Sequence, residues 1–193
     1  MKITPFEHGL DLGKPTEGYV RTPGLHMSDL YNSLHRTLDP KRYDKRDAKG
    51  NPQPMDMTKV ETGTSFEEIL EATLARRLLG DRPGEFTTPE GIIYSPDYLF
   101  FEEDDTILGE FKLTWYSSRN APFDEKFDKW FTQMKAYLYH LSMKRARLYV
   151  LFVNGNYKPP SPKLLAWNIT FTQRELTDNW NMLVRHAKKE GLL

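Results

Sequence analysis

From residue 27 onward the chain switches between two hydrophobic periods. Met27, Leu30, Tyr31, Leu34 and Leu38 fall at three- and four-residue intervals, which predicts a helix over 27–38 with Ser28 and Asp29 near its start. Phe66, Ile69, Leu70, Leu74 and Leu78 repeat the pattern and predict a helix over 65–79. Ser65 and Glu68 would form its capping box, and Gly80 would mark its end. The period then drops to two. Residues 91–101 and 106–115 read as strands, with Glu102-Glu103-Asp104-Asp105 as the turn between them.

The helical period returns over 124–143, where Phe127, Trp130, Phe131, Met134, Leu138 and Leu141 point inward. Residues 146–153, apolar without a break from Leu148 to Val153, read as a buried strand. Asn154-Gly155-Asn156 and the proline-rich stretch to Pro162 form a loop, 164–171 a last strand and 173–189 a last helix. Residues 1–24 carry Pro5, Pro15 and Pro23 with little periodicity and read as an arm or irregular cap, and polar residues 39–59 as a long loop. The order implies an α/β protein with a mixed central sheet flanked by helices. Its 193 residues suit one core, at 60–193, capped by an arm, helix and basic loop at 1–59.

Composition narrows the function classes. The 27 basic and 27 acidic residues cancel, so a nucleic-acid surface would need segregated rather than excess charge. Cysteine is absent, which removes disulfides, zinc–thiolate sites and cysteine-bound clusters. No apolar run is long enough to span a bilayer, and the start lacks a signal-peptide run, so a cytoplasmic protein without membrane contact is expected. The histidines at 8, 26, 35, 140 and 186 show no metal-ligand spacing and read as surface or satisfied polar residues. Basic clusters at Lys41 to Lys49, at Lys144-Arg145 with Arg147, and at Arg185 to Lys189 are the candidates for contact with a nucleic-acid backbone.

The chemistry concentrates in one strand. Alternation puts Ile107, Gly109, Phe111, Leu113 and Trp115 on one face of 106–115, and Leu108, Glu110, Lys112 and Thr114 on the other. Glu110 and Lys112 thus project together from a strongly apolar strand, where burial of charge needs a reason. Just before it, Pro96 interrupts an apolar run and holds Asp97 at a bend. Two carboxylates beside a lysine can hold a hard divalent cation, which acidifies water and neutralises a phosphoryl group. The triplets Asp39-Pro40-Lys41, Asp47-Ala48-Lys49 and Asp124-Glu125-Lys126 have the same spacing but lie in polar stretches or at a helix start.

Pro96-Asp97 followed by Glu110-Phe111-Lys112 resembles the defining motif of the PD-(D/E)xK nucleases. The resemblance implies a restriction-endonuclease-like core in which Asp97 and Glu110 bind Mg²⁺, with Mn²⁺ as a substitute, and Lys112 assists attack on a phosphodiester. The Phe111 backbone carbonyl would be a further oxygen ligand. Family members add a ligand from a preceding helix. Helical periodicity places Glu67 about 60° from the centre of the apolar stripe, Glu71 about 100° and Glu68 about 160°. Glu67 is therefore the expected third carboxylate and Glu71 the second choice. Gly63-Thr64-Ser65-Phe66-Glu67 resembles the Gly-x-x-x-His segment of RecB-type domains, with Glu67 in the place of the His. Gln133 and Tyr137, at i, i+4, resemble the Gln-x-x-x-Tyr motif of RecB-type and lambda-type exonucleases, where the pair helps place DNA. Asn168 to Phe171 with a closing helix also resembles the end of these domains.

The resemblance spans about residues 60–190 and leaves 1–55 unmatched. The lack of cysteine departs from the iron–sulfur branch. What it implies is a metal-dependent DNA nuclease, an exonuclease of recombination, repair or replication, phage-like and acting in the host cytoplasm. DNA is the implied partner, and a homo-oligomer or a recombination or replication protein is left open. The rival readings are a structure- or sequence-specific endonuclease and a catalytically silent DNA-binding subunit on the same fold.

Overall fold

The computed structural model describes residues 21–44, 46, 57–75 and 80–193. Helix α1 (Met27–Leu38) is followed by a short helix α2 (Pro40–Tyr43) and the long α3 (Met57–Ala75). Two short strands, β1 (Gly80–Asp81) and β2 (Phe86–Thr87), precede β3 (Ile93–Tyr94), β4 (Tyr98–Glu102) and β5 (Asp105–Thr114). A 3₁₀ turn (Glu125–Phe127) leads into α4 (Asp128–His140), then β6 (Arg145–Phe152), β7 (Lys163–Thr170) and α5 (Gln173–Lys189).

The main sheet has the order β1-β4-β5-β6-β7, and β2 pairs with β3 apart from it. β4 and β5 are antiparallel, β5 and β6 parallel, and β6 and β7 antiparallel. Parallel pairing of β5 with β6 requires a crossover, and α4 supplies it. The mixed sheet flanked by helices is the expected α/β class. The two faces of β5 meet different layers. Leu108 joins a core with Met27, Leu30 and Leu34 of α1, Met134 and Leu138 of α4, and Trp180 and Leu183 of α5. Ile107 and Phe111 join a second core with Phe66 and Leu70 of α3. The polar-side face of β5 is thus buried as well, which makes Glu110 and Lys112 guests of a core.

Several expectations need correction. The α3 helix begins at Met57, so Ser65 lies inside it and caps nothing. Helix termini are set by orphan N–H groups, and a Ser-x-x-Glu spacing within a helix satisfies none of them. Gly80 opens β1, where it pairs with Phe100, and residues 76–79 lie outside the described residues. The strand expected over 91–101 is broken in two at Ser95-Pro96-Asp97. Part of the expected loop at 39–59 is helical, because Asp39 accepts the Arg42 N–H and Pro40 sits in the first turn of α2. The 3₁₀ turn shortens the expected helix at 124–143, and Asp124 caps that turn. By contrast α1, the turn after Glu102, and α5 fall where the pattern puts them, and α5 opens on a Thr172–Glu175 capping box that the pattern does not predict.

Gly109 shows how tightly the centre is built. A Cβ there would lie 2.8 Å from the Phe100 ring and 2.9 Å from the Tyr98 Cβ. Gly109→Ala is expected to destabilise the protein by about 1–3 kcal/mol through overpacking. Urea denaturation checks this, and an unchanged midpoint would contradict the packing described.

Candidate active site

The β4–β5 ladder ends at Tyr98 opposite Gly109. One step further, Asp97 stands beside Glu110, and antiparallel neighbours project to the same face. Pro96 is buried at the break. Instead of a main-chain carbonyl, the Asp97 carboxylate Oδ2 accepts the Phe111 N–H at 2.7 Å. A residue's N–H and C=O leave a strand on the same edge, so the Phe111 carbonyl opens beside Asp97 too.

Lys112 points to the same side as Glu110. Its ammonium pairs with Glu110 Oε1 and lies 3.9 Å from Asp97 Oδ2. The Glu110 side chain has no solvent exposure, whereas Asp97 retains 15% and Lys112 18%, so the cluster opens to solvent through those two. Neither Glu110 oxygen has a well-formed hydrogen bond, which leaves Lys112 as its compensation among the described residues. Burial, then the charge of Asp97, pushes the Glu110 carboxyl up to about 8. For Lys112, burial works against the charge, yet Glu110, Asp97 and Glu67 outweigh it and hold the ammonium above the ordinary lysine range. Burial raises Asp97, against the pull of Lys112 and the Phe111 N–H.

Glu67 enters from α3. Its neighbours Phe66 and Leu70 are buried against the far face of β5, and Glu67 itself is half-buried. Burial and then the Asp97 charge push it up to about 7, and its own charge acts in turn on Glu110 and Lys112. The side chain of Glu71, the alternative third carboxylate, lies outside the described residues. Gln133 and Tyr137 are buried on α4, with the Gln133 amide donating to the Tyr137 hydroxyl at 3.3 Å. Burial is the largest influence on the Tyr137 hydroxyl, and the charges of Glu110 and Asp97 also reach it. All six sequence-derived residues therefore fall in one neighbourhood.

The donor set is hard oxygen throughout, and three carboxylates against one ammonium leave two negative charges when all are ionised. Arg82 lends a further positive charge to Glu67 and Asp97. That chemistry, with the orphaned Glu110 oxygens, suits a divalent cation. Among the described residues, however, no three acidic or histidine side chains converge at ligand spacing. The Lys112 ammonium is the cation that Glu110 and Asp97 share.

Sequence reasoning missed one contributor. Tyr31 on α1 was only a member of an apolar stripe, yet its buried hydroxyl feels Lys112, Glu110 and Asp97 and is raised, chiefly by burial. No local spacing could have joined residue 31 to residue 112. The histidines behave largely as expected. His26 bonds the Thr22 carbonyl, His35 bonds Thr132 and His186 bonds Ser33. His140 is the exception, with a buried Nε2 that lacks a hydrogen bond against the Trp180 ring. His8 lies outside the described residues. In the first basic cluster, Arg42 pairs with Asp39 and Arg46 with Asp44, while Lys45 and Lys49 lie outside the described residues.

No family model and no curated protein matches the sequence. Solved structures do match the fold. An alkaline exonuclease (LHK-Exo) from Laribacter hongkongensis is similar with a TM-score of 0.53 and 11% identity, over 86% of this chain and 87% of that one. The same enzyme in complex with dAMP gives a TM-score of 0.54 at 11% identity, over 86% of this chain and 87% of that one. A phage related exonuclease from Haemophilus somnus 129PT gives 0.51 at 15% identity, over 84% of this chain and 78% of that one. At such identities the likeness shows a shared fold, and it is a fold on which exonucleases are built.

Proposed function

We propose that this chain is a metal-dependent DNA nuclease that removes nucleotides from DNA ends. The observation that carries the reading is the pair of carboxylates, Asp97 and Glu110, held on the Lys112 ammonium, with the Glu110 oxygens buried and the charge of Glu67 reaching them from α3. Asp97, Glu110 and Glu67 would hold Mg²⁺ or Mn²⁺, with the Phe111 carbonyl as a further oxygen. A divalent cation bound there supplies charge neutralisation for a phosphodiester and acidifies water. The exonuclease reading draws on the Gln133–Tyr137 pair beside the site, and on likeness to exonucleases, one of them solved with a nucleotide. A role in recombination, repair or replication belongs to the same proposal and draws on the resemblance of the Gln133–Tyr137 spacing to RecB-type and lambda-type exonucleases.

The chain's own groups divide the work. Lys112 keeps its proton at neutral pH, so it acts as a fixed positive charge toward the attacked phosphate and a hydrogen-bond donor that positions water, not as a general base. Asp97 is anchored by the Phe111 N–H, which leaves its second oxygen for other partners. Gln133 and Tyr137 orient the substrate from α4. The Tyr137 hydroxyl stays protonated and is available to donate to a phosphate oxygen.

Lys112→Ala and Asp97→Ala are each expected to lower cleavage by at least about 100-fold, in line with loss of one preorganised electrostatic group. The assay uses linear, closed circular and single-stranded DNA with Mg²⁺, Mn²⁺ or EDTA. Wild-type rates in both variants would remove the mechanism, and cutting of closed circles would favour the endonuclease reading. Glu67 and Glu110 hold protons up to about 7 and about 8. A cation must displace those protons, so divalent affinity is expected to climb as pH rises through 7 to 8 and to level off above. Isothermal titration calorimetry in buffers of different ionisation enthalpy reads the released protons. An absence of divalent binding at any pH would favour the silent-subunit reading.

A further inference from the structure

Lys129 breaks three local rules at once. It lies in the first turn of α4, where the helix dipole disfavours a cation. It is half-buried, yet no carboxylate pairs with it among the described residues. Its ammonium instead donates to Asn32 Oδ1 at 3.0 Å and faces the rings of Tyr43 and Tyr31, 5.6 and 5.9 Å from their centroids. The charges that reach it, Lys112 and Arg36, are both positive, and with burial they lower its proton affinity. A neutral oxygen and two ring faces compensate a desolvated ammonium only in part. Where a local rule is broken without local compensation, function is the usual reason.

The position is also specific. Lys129, Gln133 and Tyr137 follow one another at four-residue steps, so they form a single line along α4. Tyr31 joins the two ends, because its ring faces Lys129 while its hydroxyl feels Lys112 and Glu110. Lys129 thus stands one side chain away from the catalytic cluster, and the charges that act on it, Lys112 and Arg36, are positive like the α4 N-terminus.

We propose that Lys129, held by Asn32 between Tyr31 and Tyr43, binds a non-scissile backbone phosphate of the DNA while the neighbouring phosphodiester lies against Lys112. This rests on the nuclease reading and extends it: the scissile bond is chosen by a second phosphate contact at a fixed offset from the metal site. The anion supplies the counter-charge that the protein withholds. A contact of this kind is independent of base sequence.

The test compares wild type with Lys129→Met and Lys129→Arg, using a short fluorescently labelled DNA duplex with Ca²⁺ in place of Mg²⁺. Loss of one phosphate contact is expected to make the plot of log affinity against log salt shallower by about 0.9, and to weaken binding roughly tenfold or more. The Arg variant should restore most of the slope. The Met variant should melt no lower than wild type, because it removes an uncompensated charge. If the Met variant does not fold, Lys129→Gln, which can still donate to Asn32, is read by the same slope and affinity. Wild-type slope and affinity in a folded neutral variant overturn the proposal and leave the nuclease reading intact. Wild-type protein that neither binds nor cuts DNA overturns both.

Discussion

Everything at the site depends on where the β4–β5 ladder stops. Pro96 has no N–H to offer, so pairing ends at Tyr98, and the Asp97 side chain takes the place of the missing backbone acceptor for Phe111. That single hydrogen bond fixes a carboxylate next to Glu110 and leaves the β5 edge without a strand partner from Glu110 onward. It is in this stretch that α3 brings Glu67 and α4 brings Gln133 and Tyr137 into the same field. A regular strand through 96 and 97 would have closed the edge and put ladder bonds where the Asp97 carboxylate now sits.

The neighbourhood of Asp97, Glu110 and Lys112 is held at a cost in stability. A fully buried Glu110 with one ammonium for company, and two further carboxyls nearby, is unfavourable unless protons or a cation join it. The surrounding core makes it tolerable. β5 is clamped on one face by α1, α4 and α5 and on the other by α3. Rigid packing on both faces also limits how far the carboxyls can move apart, the preorganisation on which the proposed catalysis would depend.

Much of this was legible in the sequence. Period-two alternation put Glu110 and Lys112 on one face, and the proline explained why Asp97 could stand beside them. Helical spacing put Glu67 nearer the core than Glu68 and aligned Gln133 with Tyr137. What failed was the start of α3, because Ser-x-x-Glu marks a cap only where the chain is not already helical, and Met57 to Thr64 is. Tyr31 and Lys129 were invisible for a different reason. Their surroundings are set by contacts with residues far away along the chain, of the kind that joins Asn32 to Lys129 and His35 to Thr132, and periodicity carries no information at that range.

The far end of β5 has its own lesson. The acidic hairpin there does not face water alone: Asp105 and Glu102 bind Arg145, and Glu102 binds Arg147. Two arginines of one basic cluster are thereby paired, toward the end of β5 away from Lys112. Arginine thus meets carboxylate at the hairpin, whereas Lys129 has no paired carboxylate among the described residues. On the proposed reading, a nucleic-acid strand would find its counter-charge at Lys129 and not at the hairpin arginines, which their own carboxylates already hold.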